Sequence, residues 1–249
     1  MPTETRSSRT VTDWFTNLPW QLTLIFVIAQ NLIWWSYPLH YGRITGGTFQ
    51  GNQLLLLAYT ITISATSFLM FQANFKSLWA HVPILVSLLL AFSGIIRGNI
   101  EILVMLLMFS GFWLAVEMRW LKLQNVWGLI IYAILSTFPV SSAIFFFQNQ
   151  YLSPTFLLNL LPLLACQTFF TVPIFETESR RRNVTALISG VLLILVTLWL
   201  RRSLIGVCAI GVIAVTYLFM NNFPALKQKY VPTAYMLFEL VCYLLLVFA

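Results

Sequence analysis

The chain has 249 residues, 59% of them hydrophobic and 16% aromatic, with only 8% charged, a formal net charge of +7 and a mean hydropathy of +0.86. A soluble domain carries about 25% charged residues, so an ordinary soluble fold is excluded: it would leave too much apolar surface in water. Disorder is excluded for the opposite reason, since there is ample apolar surface to offset chain entropy. An all-α, polytopic membrane bundle remains.

A membrane-crossing helix needs about 17 to 25 mostly apolar residues. In chain order, the runs that meet this are 21–37, 53–72, 79–96, 99–116, 126–147, 154–175, 184–200, 204–220 and 233–249, which predicts about nine transmembrane helices. Residues 1–20 read as a cytoplasmic N-terminal segment and not a signal peptide, because no apolar region with a small-residue cleavage site precedes the first span. Residues 21–249 read as a single transmembrane helical domain. The runs are continuously apolar and do not alternate, which argues against a membrane barrel.

Loop charges set the expected orientation. With the N-terminus cytoplasmic, that side holds Arg6, Arg9, Lys76, Arg119, Lys122, Arg180, Arg181, Arg182, Lys227 and Lys229, and the other holds Arg43, Arg97, Arg201 and Arg202. Ten against four favours an integral, multi-pass protein with its N-terminus in the cytoplasm and its C-terminus on the opposite side. Because these cations are scattered through short loops, they set orientation and do not form a nucleic-acid stripe. Trp14, Trp20, Trp34, Trp35, Tyr37, Trp79, Trp120 and Trp127 lie near run ends and read as belt anchors.

Three cysteines, Cys166, Cys208 and Cys242, sit inside apolar runs, and His40 and His81 are the only histidines. Neither a disulfide framework nor a zinc site fits that inventory, and no serine–histidine spacing suggests a hydrolase. Within the spans, Gln30, Asn31, Asn159 and Gln167 read as interhelical hydrogen-bonders. Pro139, Pro162 and Pro173 read as kinks or breaks, and Ser141, Ser142 and Ala143 as points of close helix approach. Glu239, inside the last run, is expected to face the bundle interior.

Polar chemistry gathers in three even-numbered loops: Gln72, Asn74 and Lys76; Glu117, Arg119 and Lys122; and Glu176-Thr177-Glu178-Ser179-Arg180-Arg181-Arg182-Asn183. Even loops of an alternating bundle share one membrane face. The arginine fork suits phosphate, so these segments together suit an anionic headgroup or a diphosphate.

In this layout the chain resembles the UbiA superfamily of intramembrane prenyltransferases over roughly residues 18 to 249. Leu18-Pro19-Trp20 sits where that family often has arginine, proline and an aromatic residue before its first helix. Asn74 resembles the asparagine that opens the family's first aspartate-rich motif, and Trp120-Leu121-Lys122 its lysine-bearing loop after the fourth helix. Glu176 to Thr185 resembles its second acidic motif. The resemblance implies a UbiA-like bundle that binds a polyprenyl lipid or prenyl diphosphate and transfers the prenyl group to an acceptor. Asn74, Lys76, Lys122, Glu176, Glu178, Arg180 and Asn183 would bind substrate, and Glu176 and Glu178 would hold Mg2+. The chain departs from the family after Asn74, where Phe75, Lys76, Ser77 and Leu78 supply no carboxylate, and the second motif contains no aspartate. Lys76, Lys122 and the arginine run then stand where metal would neutralise the diphosphate. Membrane lipids and a prenyl substrate are the expected partners, together with a protein partner if the scaffold is a non-catalytic subunit. A transporter, motivated by Glu239, Gln167 and the proline-interrupted helices, is the remaining alternative.

Overall fold

The computed structural model describes residues 20–49, 51, 53–93, 99–200, 203–222 and 229–248, and every regular element among them is helical. In chain order these are α1 (Trp20–Ile44), α2 (Gln53–Gln72), a 3-10 turn (Leu78–Ala80) running into α3 (His81–Ala91), α4 (Ile100–Glu117), a second 3-10 turn (Arg119–Leu121), α5 (Val126–Asn149), α6 (Pro154–Leu158), α7 (Leu161–Phe175), α8 (Ser179–Leu200), α9 (Leu204–Asn222) and α10 (Val231–Phe248). Eight of the segments, with α6 and α7 taken as one, are long and apolar enough to cross a bilayer. The run predicted over 79–96 forms the shorter helical stretch Leu78–Ala91. At 1.5 Å per residue its 14 residues reach roughly 21 Å, against about 30 Å of hydrocarbon. The bundle therefore has eight helices of spanning length and a ninth, shorter apolar one among the described residues. Hydropathy located the run, but it does not register where helical hydrogen bonding stops.

Two sets of contacts define the ends of the bundle. At one end Thr233 at the start of α10 donates to the Leu22 carbonyl oxygen of α1 (3.4 Å), and Phe26 packs on Phe68 and Phe71 at the end of α2. Phe175 at the end of α7 meets Phe71 and Tyr132 there. At the other end Thr45 bonds Asn149, His40 packs on Phe248, and Tyr37 and Tyr41 pack on Phe156. The helices thus alternate in direction, and segments 72–77, 117–125 and 176–179 emerge at the same end. α5 is central, with 72% of its most apolar window buried, whereas α8 and α9 are peripheral at 28% each.

Hydrocarbon offers no hydrophobic drive between helices, so packing and interhelical hydrogen bonds hold them together. Asn31 on α1 accepts from the Thr60 hydroxyl (2.6 Å) and donates to Ser64 (3.1 Å), while the Trp35 indole donates to Thr60 (3.1 Å). The Trp34 indole donates to Ser136 on α5 (3.2 Å). On the far side of α2, Tyr59 donates to the Leu106 carbonyl (2.7 Å), and Ser110 on α4 lies within hydrogen-bond distance of both Tyr59 and Ser87. Gly190 lets α8 close on α7: a Cβ there would sit 3.1 Å from the Phe169 ring.

Several residues take roles other than those expected from sequence. Trp34 and Trp35 are buried in the core, where each indole N–H finds a hydroxyl, and they do not anchor at the interface. Trp20, Trp120 and Trp127 are exposed, as belt anchors would be. Asn159 bonds its own helix turn through the Thr155 carbonyl (3.0 Å) instead of a neighbouring helix. Gln30 and Gln167 are buried without a hydrogen-bond partner for either amide atom. Pro162 opens α7 after the break at Asn159–Leu160, and Pro139 and Pro173 lie inside helices. Residues 1–19, with Arg6, Arg9, Trp14, Leu18 and Pro19, lie outside the described residues, as do Arg97, Arg201, Arg202 and Lys227.

Asn31→Leu removes both side-chain bonds to α2. We expect it to lower stability by about 1 kcal/mol, read as an earlier midpoint in unfolding of the detergent-solubilised protein, with Asn159→Leu leaving the midpoint unchanged.

Candidate functional site

The three polar segments share one end of the bundle through a specific backbone feature. α2 terminates with Asn74 and Phe75 both in the left-handed region, at φ 48 and 59, and the Phe75 N–H closes the helix end on the Met70 carbonyl (2.7 Å). Asparagine tolerates that conformation, whereas a phenylalanine there is strained by about 1–2 kcal/mol. The strain is held by packing: the Phe75 ring lies 5.9 Å from Phe71 and 4.9 Å from Phe175, and the residue is buried. This contact ties the segment after α2 to the segment after α7.

Phe71, Phe75, Trp113, Tyr132 and Phe175 form one aromatic cluster immediately inside that end. Each is buried to within 4% or less. Buried rings occupy the space beneath the three loops that was expected to receive a hydrocarbon tail, and open spaces among the described residues lie elsewhere at this end.

The first is a pocket of about 640 Å³ between the segments after α2 and α4. Lys76, His81, Glu117, Lys122, Gln124 and Asn125 supply its polar lining. His81 Nε2 lies 2.9 Å from Glu117 Oε2, joining the start of α3 to the end of α4, and His81 Nδ1 lies 3.0 Å from the Leu78 carbonyl oxygen. Lys122 follows the second 3-10 turn in the left-handed conformation, φ 46. Asn125 caps α5 by accepting from the Trp127 and Gly128 N–H groups at 2.9 and 3.3 Å.

A second, composite space begins one residue later. A recess of about 380 Å³ at the start of α8 is lined by Val126, Glu178, Arg180, Arg181, Val184 and Thr185. Val126 and Thr185 also line a groove of about 510 Å³ that runs along the outside of the bundle between α5, α7 and α8. Its walls are Leu129, Ile130 and Ile134 of α5, Leu161, Leu164, Ala165 and Thr168 of α7, and Ile188, Ser189, Leu192 and Val196 of α8. An apolar trough therefore adjoins, at Val126 and Thr185, a recess bearing two arginines.

The residues expected to bind one headgroup are thus divided. Lys76 and Lys122 line the first pocket, and Glu178 and Arg180 the second recess. Asn74 is exposed beside the first pocket without lining it, and Asn183 is half-buried outside the recess lining. Glu176 is buried at the end of α7 and lines neither space. Glu178 is exposed and pairs with Arg181 at 3.0 Å, an exposed contact worth about 0–1 kcal/mol. Two carboxylates so placed, one buried and one held by an arginine, do not fit a magnesium ion shared between them. Among the described residues no three His, Cys, Asp or Glu side chains gather as a metal site. The Arg119 side chain lies outside the described residues.

Sequence reasoning missed the groove, His81 and the orphaned amides. The spacing of Thr185, Ile188, Ser189, Leu192 and Val196, at i, i+3, i+4, i+7 and i+11, places them on one face of α8, which was the available signal for the groove. Comparison against protein-family models, curated proteins and solved structures finds no match. The chain is a multi-pass helical membrane protein with a polar loop end and a lateral apolar groove that meets it.

Phe75→Ala removes the ring that joins two of the loop segments and should cost about 3 kcal/mol. Glu117→Gln, which breaks a partly exposed pair, should cost less than about 1 kcal/mol. Unfolding midpoints of the two variants in one detergent check the contrast.

Proposed function

We propose that the protein binds an anionic isoprenoid lipid, a prenyl or polyprenyl phosphate or diphosphate, with its phosphate at Arg180 and Arg181 and its hydrocarbon chain along the α5–α7–α8 groove. The observation that carries this reading is the adjacency of the groove and the arginine-bearing recess, whose linings share Val126 and Thr185. Both spaces fall within the size range of ligand sites, and bidentate guanidinium groups match phosphate oxygens. The groove opens toward lipid, since Ile188 is 65% and Leu192 51% exposed, so a tail enters sideways from the bilayer without crossing water.

The sequence layout supports an isoprenoid over an ordinary acyl lipid, because the same loop order resembles the UbiA prenyltransferases. Lys76 and Lys122 line a separate polar pocket across Asn125, which gives a second, polar reactant its own place. A transferase uses both spaces; a non-catalytic lipid-binding subunit uses only the groove. In both cases the loop end faces the cytoplasm: among the described residues Lys76, Lys122, Arg180, Arg181, Arg182 and Lys229 belong to that end and Arg43 to the other.

The test is binding of fluorescent polyprenyl phosphate to the full chain in nanodiscs, competed by farnesyl diphosphate, phosphatidylglycerol or phosphatidylcholine. The polyprenyl phosphate should bind at least about tenfold more tightly than either phospholipid. Loss of the two charge-assisted contacts in Arg180→Gln/Arg181→Gln should weaken it by about tenfold or more, and Ser189→Trp should block the groove. Equal affinity for all the lipids, or variants that bind as the wild type does, would defeat the reading. Product formation from farnesyl diphosphate and an acceptor panel separates a transferase from a binding subunit.

A further inference from the structure

The bundle interior holds a second polar feature away from the loops and the groove. Glu239 on α10 is fully buried, and neither carboxyl oxygen has a hydrogen-bond partner. Gln30 on α1 and Gln167 on α7 are buried as completely, and both polar atoms of each amide are unpartnered as well. α10 packs directly against both α1 and α7. The contacts Thr233 to Leu22 and Phe248 to His40 fix the register of α10 on α1 and bring Glu239 to the depth of Gln30. Glu239 is also within electrostatic reach of Tyr132 on α5 and of Cys166, the chain neighbour of Gln167.

An amide or carboxyl left unpaired in a protein interior costs several kcal/mol. Orphaned polar groups in native folds usually mark a water or an ion, and an ionisable residue inside a membrane bundle usually marks an ion or proton path. No lysine or arginine is buried among the described residues. Arg182 exerts its field on Tyr235, one turn nearer the loop end, and no salt bridge joins it to Glu239. The other titratable groups around Glu239 are Tyr132, Cys166, Cys242 and Tyr243, none of them cationic. One carboxylate with two amide oxygens is a hard, oxygen-rich donor set of charge −1. A single monovalent charge neutralises it, whereas a divalent ion leaves net charge in the low-dielectric interior.

We propose that Glu239, together with the Gln30 and Gln167 amide oxygens, binds one small monovalent cation, a proton or an alkali ion, at the centre of the bundle. The site is independent of the lipid groove, so its fate is separate from that of the lipid reading. The amides position the cation against the carboxylate, and the surrounding apolar residues keep bulk water from competing.

The experiment uses the full chain in nanodiscs and two readouts: equilibrium binding of radiotracer sodium or rubidium, and the infrared carboxyl band as pH is raised from about 5 to about 10. Tracer bound in a saturable manner, lost in Glu239→Gln and weakened about tenfold in Gln30→Leu, identifies an alkali ion. Absence of tracer binding, with a protonated-carboxyl band that Glu239→Gln lacks and that converts reversibly to carboxylate in the folded protein, identifies a proton. A Glu239 carboxyl that is ionised throughout, with no tracer bound, overturns the proposal, and one that is protonated throughout identifies a proton that the site does not release. Should Glu239→Gln fail to fold, Glu239→Asp, which shifts the carboxyl band without removing the charge, makes the same assignment.

Discussion

Hydrocarbon cannot accept or donate a hydrogen bond, and this constraint organises the molecule. Each backbone polar group in a span has to be satisfied within its own helix, which makes the chain a set of helices. Polar side chains in the spans then bond either a carbonyl of their own helix, as Thr62, Ser67 and Thr168 do, or a neighbouring helix. Asn31, Thr60, Ser64 and Trp35 do the latter between α1 and α2, Trp34 and Ser136 between α1 and α5, and Tyr59, Ser110 and Ser87 among α2, α4 and α3. The same constraint gives meaning to exceptions. Glu239, Gln30 and Gln167 are costly where they are, and the molecule offsets that cost with none of its own described side chains.

Aromatic packing decides how the loop end is used. The cluster around Phe71, Phe175 and Tyr132 closes the middle of the bundle and at the same time holds the strained Phe75 turn in place. Open volume among the described residues lies at two flanks of this end. One flank is polar and bordered by Lys76, Lys122 and the His81–Glu117 pair; the other is apolar and meets Arg180 and Arg181. Asn125 and Val126, consecutive at the start of α5, separate the two. A single expected site has become two separate spaces with different linings.

Burial by itself does not distinguish a lipid-facing surface from a binding groove, since both are apolar and exposed. The difference lies in shape and continuity. Leu187, Val191 and Leu195 form an exposed stripe on α8 that lines no described pocket, whereas Ile188, Leu192 and Val196 share a groove wall with α5 and α7. Small side chains at Ser189 and Gly190 let α8 approach α7 closely enough to form that wall, with Gly190 against the Phe169 ring.

The amino-acid sequence alone determined the solvent of this protein, the location of its apolar helical runs though not where the third ends or the sixth breaks, and the convergence of segments 72–76, 117–122 and 176–183 at one end. These follow from composition, run length and alternation of direction, which are local or additive properties. It also placed Glu239 in the interior, because a carboxyl facing lipid would be too costly. Tertiary structure decided which polar residues meet: Trp34 and Trp35 left the interface for the core, Glu176 turned inward while Glu178 stayed at the surface, and Lys76 and Lys122 parted from Arg180. Those outcomes depend on helix rotation and on how large rings fill the space between helices. Neither is encoded in hydropathy or spacing, because a given helix face acquires its role only from the neighbour packed against it.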